Sequence, residues 1–225
     1  MYFTLNSGVL DQLITKKGSS REQNNDFIKL IELERLILAI AFDVSTKSKT
    51  DNGMTRLFAS ELENRLKSFV SPTTEQVKQS LHNAFLTVKS EFKIGKASML
   101  VLAKLPENSE LICFHCGDVR LGKLEENNSI AWLTNVHTGA NVFGEFFERT
   151  MLEDPNRHIL TKCLNLQRKF EFDVTPIEEV KGEYLIATDG FWAECSEQDA
   201  LNILFEDREP NTEDDCSVLK LTFCG

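Results

Sequence analysis

Residues 98–134 read SMLVLAKLPENSELICFHCGDVRLGKLEENNSIAWLT, and the punctuation of this stretch decides the architecture. Four short apolar or alternating runs, 98–105, 109–116, 119–125 and 129–134, read as strands, with PENS at 106–109 and ENN at 126–128 as turn signals. Connections this short have no room for a crossover helix, so the strands they join pair antiparallel. Runs of the same kind stand at 27–32 (FIKLIE), 36–43 (LILAIAFD), 183–188 (EYLIAT) and 216–223 (CSVLKLTF).

Between the strands at 36–43 and 98–105 the period changes. In MTRLFASELENRLKSF, Phe58, Leu62, Leu66 and Phe69 recur at helical spacing. In EQVKQSLHNAFLTVKSEF, Val77, Leu81, Ala84, Phe85, Val88 and Phe92 do the same. The intervening SPTT ends one helix and starts the next, with Thr73 and Gln76 spaced as a capping box. Shorter helices are expected at 155–165 and at 196–204, the second opened by Ser196 as N-cap. Strands clustered after a helical hairpin predict an α+β layered domain, one unit over 1–225.

Composition narrows the function. The net charge of −10 excludes a phosphate-tracking nucleic-acid surface, which needs clustered Lys and Arg. No apolar run is long enough to span a bilayer, and MYFTLNSGVLDQLITKK lacks the form of a secretory signal, so a cytosolic protein is expected. The six cysteines (113, 116, 163, 195, 216, 224) are read as free buried thiols. Cys113 and Cys116 form a C-x-x-C, but no second ligand pair stands at zinc spacing and the run around them is strand-like.

Carboxylates recur where strands begin or end. Asp189 follows the apolar run Tyr184–Ala187, Asp43 closes LILAIAFD, Asp214 and Asp215 precede the last strand, and Asp26 precedes FIKL. Asp189-Gly190 alone is also what an ordinary turn contains. If the strand ends converge, the carboxylates repel one another unless a cation holds them, and oxygen ligands select magnesium, manganese or calcium. Spacing alone does not establish that convergence.

Eight segments in order resemble the metal-dependent protein phosphatase 2C family in its compact bacterial form, along nearly the whole chain. SREQNNDF resembles R-x-x-N-E-D, and AIAFDV the strand ending in Asp-Gly. GKASMLVLAKL is similar to the Gly-Thr-Thr strand and CFHCGDVRLGKL to N-x-G-D-S-R. LTNVH resembles Leu-Thr-x-Asp-His, and DPNRHILTKCL the helix before the second metal motif. YLIATDGFWAE is similar to L-x-x-S-D-G-L-W-D and TEDDCSVLKL to the closing D-N-x-T strand. The resemblance implies a four-layer α-β-β-α sandwich with two central antiparallel sheets. It implies a serine/threonine phosphatase using two Mg²⁺ or Mn²⁺ ions, with Asp43 bridging them and Asp189 and Asp214 completing one. Asp26 and the Val44 carbonyl would serve the second ion, and Arg21 would bind phosphate. The implied partner is a phosphorylated protein, opposite a serine/threonine kinase, with no nucleic acid, no membrane span and a monomeric chain.

Departures from the pattern set the competing expectation of a weak or inactive pseudophosphatase acting as a binding module. Asp-Gly-x-Gly-Gly becomes Asp43-Val44-Ser45-Thr46-Lys47, and Asn25 replaces a glutamate, which removes charge from the second ion's surroundings. Ser45 stands where many eukaryotic members carry a histidine, and the stretch from Asp189 to Asp214 leaves little room for a flap. Asp118, Arg120, His115 and His137 are read as turn or packing residues, Trp192 as core, and Arg21 as a phosphate ligand rather than a solvated charge only through its family position.

Overall fold

A computed structural model describes residues 2–4, 9–45, 52–106, 110–144 and 147–223. In chain order the strands are β1 (Tyr2–Thr4), β2 (Val9–Lys16), β3 (Asp26–Glu32) and β4 (Ile37–Val44), followed by helices α1 (Gly53–Leu66) and α2 (Thr74–Glu91). Strands β5 (Lys96–Lys104), β6 (Leu111–Cys116), β7 (Arg120–Leu124), β8 (Ile130–Trp132), β9 (Leu164–Asn165), β10 (Asp173–Ile177) and β11 (Gly182–Ala187) come next. The chain closes with α3 (Asp189–Trp192), α4 (Glu197–Phe205) and β12 (Cys216–Phe223).

The strands form two sheets. One has the order β1-β2-β12-β11-β7-β8, the other β10-β6-β5-β4-β3 with β9 on the end of β5. Every pairing is antiparallel, including β5 with β6 and β7 with β8, as the short connections require. Residues 107–109 of the PENS turn lie outside the described residues, but the Leu105 amide donates to the Glu110 carbonyl across it.

The period-2 alternation of each strand distributes the core into three layers. On β4, Leu38, Ile40, Phe42 and Val44 face α1 and α2, meeting Phe58, Leu62, Leu81 and Phe85. Ile37, Ala39 and Ala41 face the other sheet and pack with Leu121, Tyr184, Ile186, Leu219 and Leu221. On the far side of that second sheet, Leu185, Ala187 and Val218 meet Phe191, Ala200, Ile203 and Leu204. The result is the four-layer α-β-β-α sandwich. The Thr73–Gln76 capping box at the start of α2 forms in both directions, and the Ser196 hydroxyl caps α4.

One expectation is corrected. The segment 155–165 is not a helix. Asp154 caps a single 3₁₀ turn, Pro155–His158, after which Leu160 bridges to Thr138 and Leu164 pairs with Ala97 of β5. Backbone pairing to neighbouring strands takes the amides that a longer helix would use. Strand β10, outside the runs read from sequence, carries Pro176. It is tolerated because β10 is a sheet edge, paired only with β6. Strands β1, β2 and β9 were likewise missed. In β2 the buried polar pair Asp11 and Gln12 breaks the alternation.

Five cysteines (113, 116, 163, 195 and 216) are free and buried, and Cys224 lies outside the described residues. Burial raises the thiols of Cys113 and Cys116, the opposite of what a reactive or metal-binding pair shows. Among the described residues, no helix is long and apolar enough to cross a membrane.

Candidate active site

Strand parity places the acidic residues. Asp43 continues the series 37, 39, 41 on the face of β4 that looks toward the other sheet, at the end of that face. Directly opposite on either side stand Asp26 of β3 and Ser98 of β5, so three polar side chains cross one sheet end in a row. Beyond β6, Gly117 turns the chain with φ +97°, a conformation that suits glycine, and lies too close to Ser98 for any Cβ. That turn presents Asp118, whose Oδ1 accepts from Ser98 Oγ at 2.5 Å while Asp118 N donates to the same hydroxyl.

The other sheet contributes from its matching end. Asp189 opens α3 where β11 stops, and Asp214 precedes β12, the strand beside it. Gly190 follows because the chain there presses on β12, and a Cβ would sit 2.2 Å from the Asp215 carbonyl oxygen. Asp215 is buried and ties in the loop before β3, accepting from Gly18 N at 3.0 Å and from Asn25 N at 2.8 Å. Within that loop Arg21 donates from Nε and Nη2 to the two oxygens of Asp214, a bidentate ion pair across 193 positions of sequence.

A cavity of about 340 Å³ has among its lining residues Arg21, Asp43, Val44, Ser45, Asp118, Asp189 and Asp214, together with Ser98, Lys96 and His158. Five of the six residues singled out from sequence therefore meet in one place. The sixth, Asp26, is not on the wall but one strand away beside Asp43. Its Oδ2 accepts from Thr188 Oγ1 at 2.8 Å, and its Oδ1 is enclosed without a hydrogen-bond partner. Asn25 points elsewhere, its Oδ1 accepting from Gln23 Nε2 at 3.0 Å. Thr46 and Lys47 lie outside the described residues.

The electrostatics follow from this crowding. Burial first, then Asp189, Asp26 and Asp118, raises the Asp43 carboxyl well above the ordinary range. Burial, Asp118 and Asp214 do the same to Asp189, opposed by Arg157, whose Nη1 lies 3.8 Å from Asp189 Oδ2. Asp26 is pushed up to about 8, chiefly by burial. Among the described residues, no group of three or more carboxylate, imidazole or thiol side chains is arranged to hold a metal ion as it stands, and Asp214 is turned onto Arg21. The donors still fit a hard divalent cation. They are oxygens, they repel one another when charged, and one buried oxygen of Asp26 has no partner.

Sequence reasoning missed Asp118 as a wall residue and Arg157 as a neighbour of Asp189. The one available signal was the aspartate within C-G-D-V-R, which also reads as a turn. His137 is a packing residue as expected. Its Nδ1 accepts from Gly117 N at 3.1 Å, its Nε2 lies 2.7 Å from Asp173 Oδ2, and its ring stacks on His115. Trp192 supports the site, donating from Nε1 to the Asp118 carbonyl at 2.8 Å.

Solved structures share this arrangement of sheets and helices. The PPM Ser-Thr phosphatase MsPP from Mycobacterium smegmatis, in complex with cacodylate, aligns with TM-score 0.74 at 19% identity, covering 95% of this chain and 98% of that one. This chain has the PPM phosphatase fold. The S. agalactiae serine/threonine phosphatase aligns with TM-score 0.78 at 17% identity over 96% of this chain and 100% of its own. The catalytic domain of the serine threonine protein phosphatase PstP, in complex with 2 manganese ions, aligns with TM-score 0.68 at 14% identity over 95% and 97%. No family model and no curated protein sequence matches the chain.

Proposed function

We propose that residues 1–225 form one catalytic unit, a metal-dependent serine/threonine protein phosphatase that hydrolyses phosphomonoesters. The observation that carries the reading is the cavity itself, where Asp43, Asp118, Asp189 and Asp214 gather from the ends of both sheets beside a guanidinium, in a fold shared with such enzymes. Asp43, Asp189 and Asp214 would hold one Mg²⁺ or Mn²⁺, and Asp43, the Val44 carbonyl and Asp26 a second. The two manganese ions of the PstP neighbour support that stoichiometry. Bound there, the ions supply a water of lowered pKa and neutralise the phosphoryl oxygens.

The chain's own residues do the remaining work. Arg21 presents a planar fork matched to phosphate oxygens, and its place on the cavity wall beside Asp214 supports that role. With an ion held by Asp214, the Arg21 guanidinium would be available to bind a phosphoryl group. Ser98 holds the Asp118 carboxylate toward the cavity. No side-chain nucleophile is needed. A phosphoprotein substrate and a serine/threonine kinase as counterpart follow from the same reading, as does a cytosolic setting, where the five free thiols persist.

A second reading, a pseudophosphatase acting as a binding module, is favoured by Asn25, where the resembled family has a glutamate, and by Val44-Ser45 in place of the glycine after Asp43. Hydrolysis of p-nitrophenyl phosphate and of a phosphothreonine peptide, with Mn²⁺ and with chelator, decides between them. Metal-dependent turnover that vanishes on chelation and in Asp189→Asn is expected. Turnover that survives chelation, or none at any Mn²⁺ concentration, refutes the phosphatase reading.

A further inference from the structure

The structure holds a second cavity, of about 370 Å³, on the outer face of the β7–β8 end of its sheet, beneath α4. Its floor is Arg120, the first residue of β7, which is 3% exposed. The guanidinium sits among three rings, 4.7 Å from Trp132, 5.0 Å from Trp192 and 5.7 Å from Phe147. Among the described residues, only Nε–H of its five N–H donors is used, on the Thr134 carbonyl at 3.3 Å. Among the described residues no carboxylate faces it, and burial alone draws it down to about 9, leaving it a cation at neutral pH.

A buried cation without a counterion is costly, and ring faces offset only part of that cost. Arg120 lines the cavity, and among the described residues its terminal nitrogens have no hydrogen-bond partner. The walls include Asn127, Asn128 and Ser129 together with both indoles. Arg149 at the mouth adds a second guanidinium. Its neighbour Glu197, 3.8 Å away, is almost fully solvated and screens only weakly. This matches the usual form of a small-molecule site, with apolar walls and a few convergent polar groups.

We propose that this cavity binds a small organic anion, a carboxylate or phosphate carried on a planar apolar body, with Arg120 as the anion ligand and Trp132 and Trp192 as the walls for the ring. The site is separate from the acidic cavity and does not depend on the phosphatase reading. The two share one wall, since Trp192 bonds to the Asp118 carbonyl while the Asp118 side chain faces the other cavity.

The chain has two tryptophans, Trp132 and Trp192, and both line this cavity, so intrinsic fluorescence reports on it. The protein of residues 1–225, in chelator, is titrated with benzoate, phenylphosphonate and inorganic phosphate. Saturable fluorescence changes are expected for the two aryl anions, with inorganic phosphate weaker. Arg120→Met, which removes the charge at similar volume, should weaken aryl-anion binding at least about ten-fold, the loss of one charge-assisted hydrogen bond. Arg120→Lys should weaken it too, because it keeps the charge and loses the fork, and it serves where Arg120→Met does not fold. Arg149→Gln should cost about two- to five-fold, as a rim charge does. Asp214→Asn should leave the titration unchanged. The proposal is overturned if the wild-type protein shows no saturable change, if a folded Arg120 variant binds as the wild type does, or if Asp214→Asn abolishes binding. Equal binding of inorganic phosphate and phenylphosphonate overturns the role given to the indoles.

Discussion

Acid should destabilise this protein through His115, and the structure sets the size of the effect. His115 is 3% exposed on β6, its Nδ1 is buried without a hydrogen-bond partner, and burial followed by the neighbouring His137 lowers it from 6.5 to about 4. The groups facing the pair are Asp173 and Lys162. Asp173 holds His137 Nε2 and accepts from Lys162 Nζ at 2.5 Å. In the folded state the His115 imidazole stays neutral, whereas the unfolded chain takes up the proton as pH falls below about 6.5. The unfolded state then binds more protons than the native state, so stability rises with pH between the two values and is lost as pH falls through that window. From about pH 7.5 to about pH 5 this one group contributes a loss of about 2 kcal/mol, and His137, shifted in the same direction, adds to it. For a chain of this size that corresponds to about 4–8 °C in Tm. The perturbation is His115→Phe, which keeps a ring against His137 and removes the titration. Calorimetric Tm values for the metal-free protein and the variant, taken across that range, should differ by a gap that widens steadily toward acid. Parallel curves would refute the argument, whatever constant offset the larger ring introduces.

Gly190→Ala should lower Tm and abolish activity together, since its methyl would lie 2.2 Å from the Asp215 carbonyl oxygen and force Asp189 away from Asp214; phosphatase assay beside thermal melting checks this, and a stable, active variant contradicts it. Asp215→Ala leaves the Gly18 and Asn25 amides without their acceptor, a loss of about 2–4 kcal/mol to be read from urea midpoints. Asp189→Asn should reduce Mn²⁺-dependent turnover at least about a hundred-fold with the circular dichroism spectrum unchanged. Its metal-free Tm should not fall, because a buried carboxylate crowded by Asp118 and Asp214 is replaced by a neutral isostere.

The amino-acid sequence by itself determined whatever depends on local period. Leu38, Ile40 and Phe42 had to share one face of β4 and Ala39, Ala41 and Asp43 the other, because side chains alternate along any strand. The α1–α2 hairpin, the capping box at Thr73 and the antiparallel pairing of β5 with β6 were legible for the same reason: residues within a few positions of one another carry each signal. The resemblance in order of eight motifs made the acidic site legible as a list of residues. Only the tertiary structure decided which strand ends meet. Asp43 and Asp189 reach one cavity because two sheets stack face to face with matching ends aligned, and Arg21 finds Asp214 across nearly the whole chain. Asp118 looked like a turn residue until Gly117 aimed it inward, and Arg120, read as structural, lines a cavity because β8 and α3 close indoles around it. Such meetings are set by the packing of layers, which sums weak, non-local contacts that no short window of sequence contains.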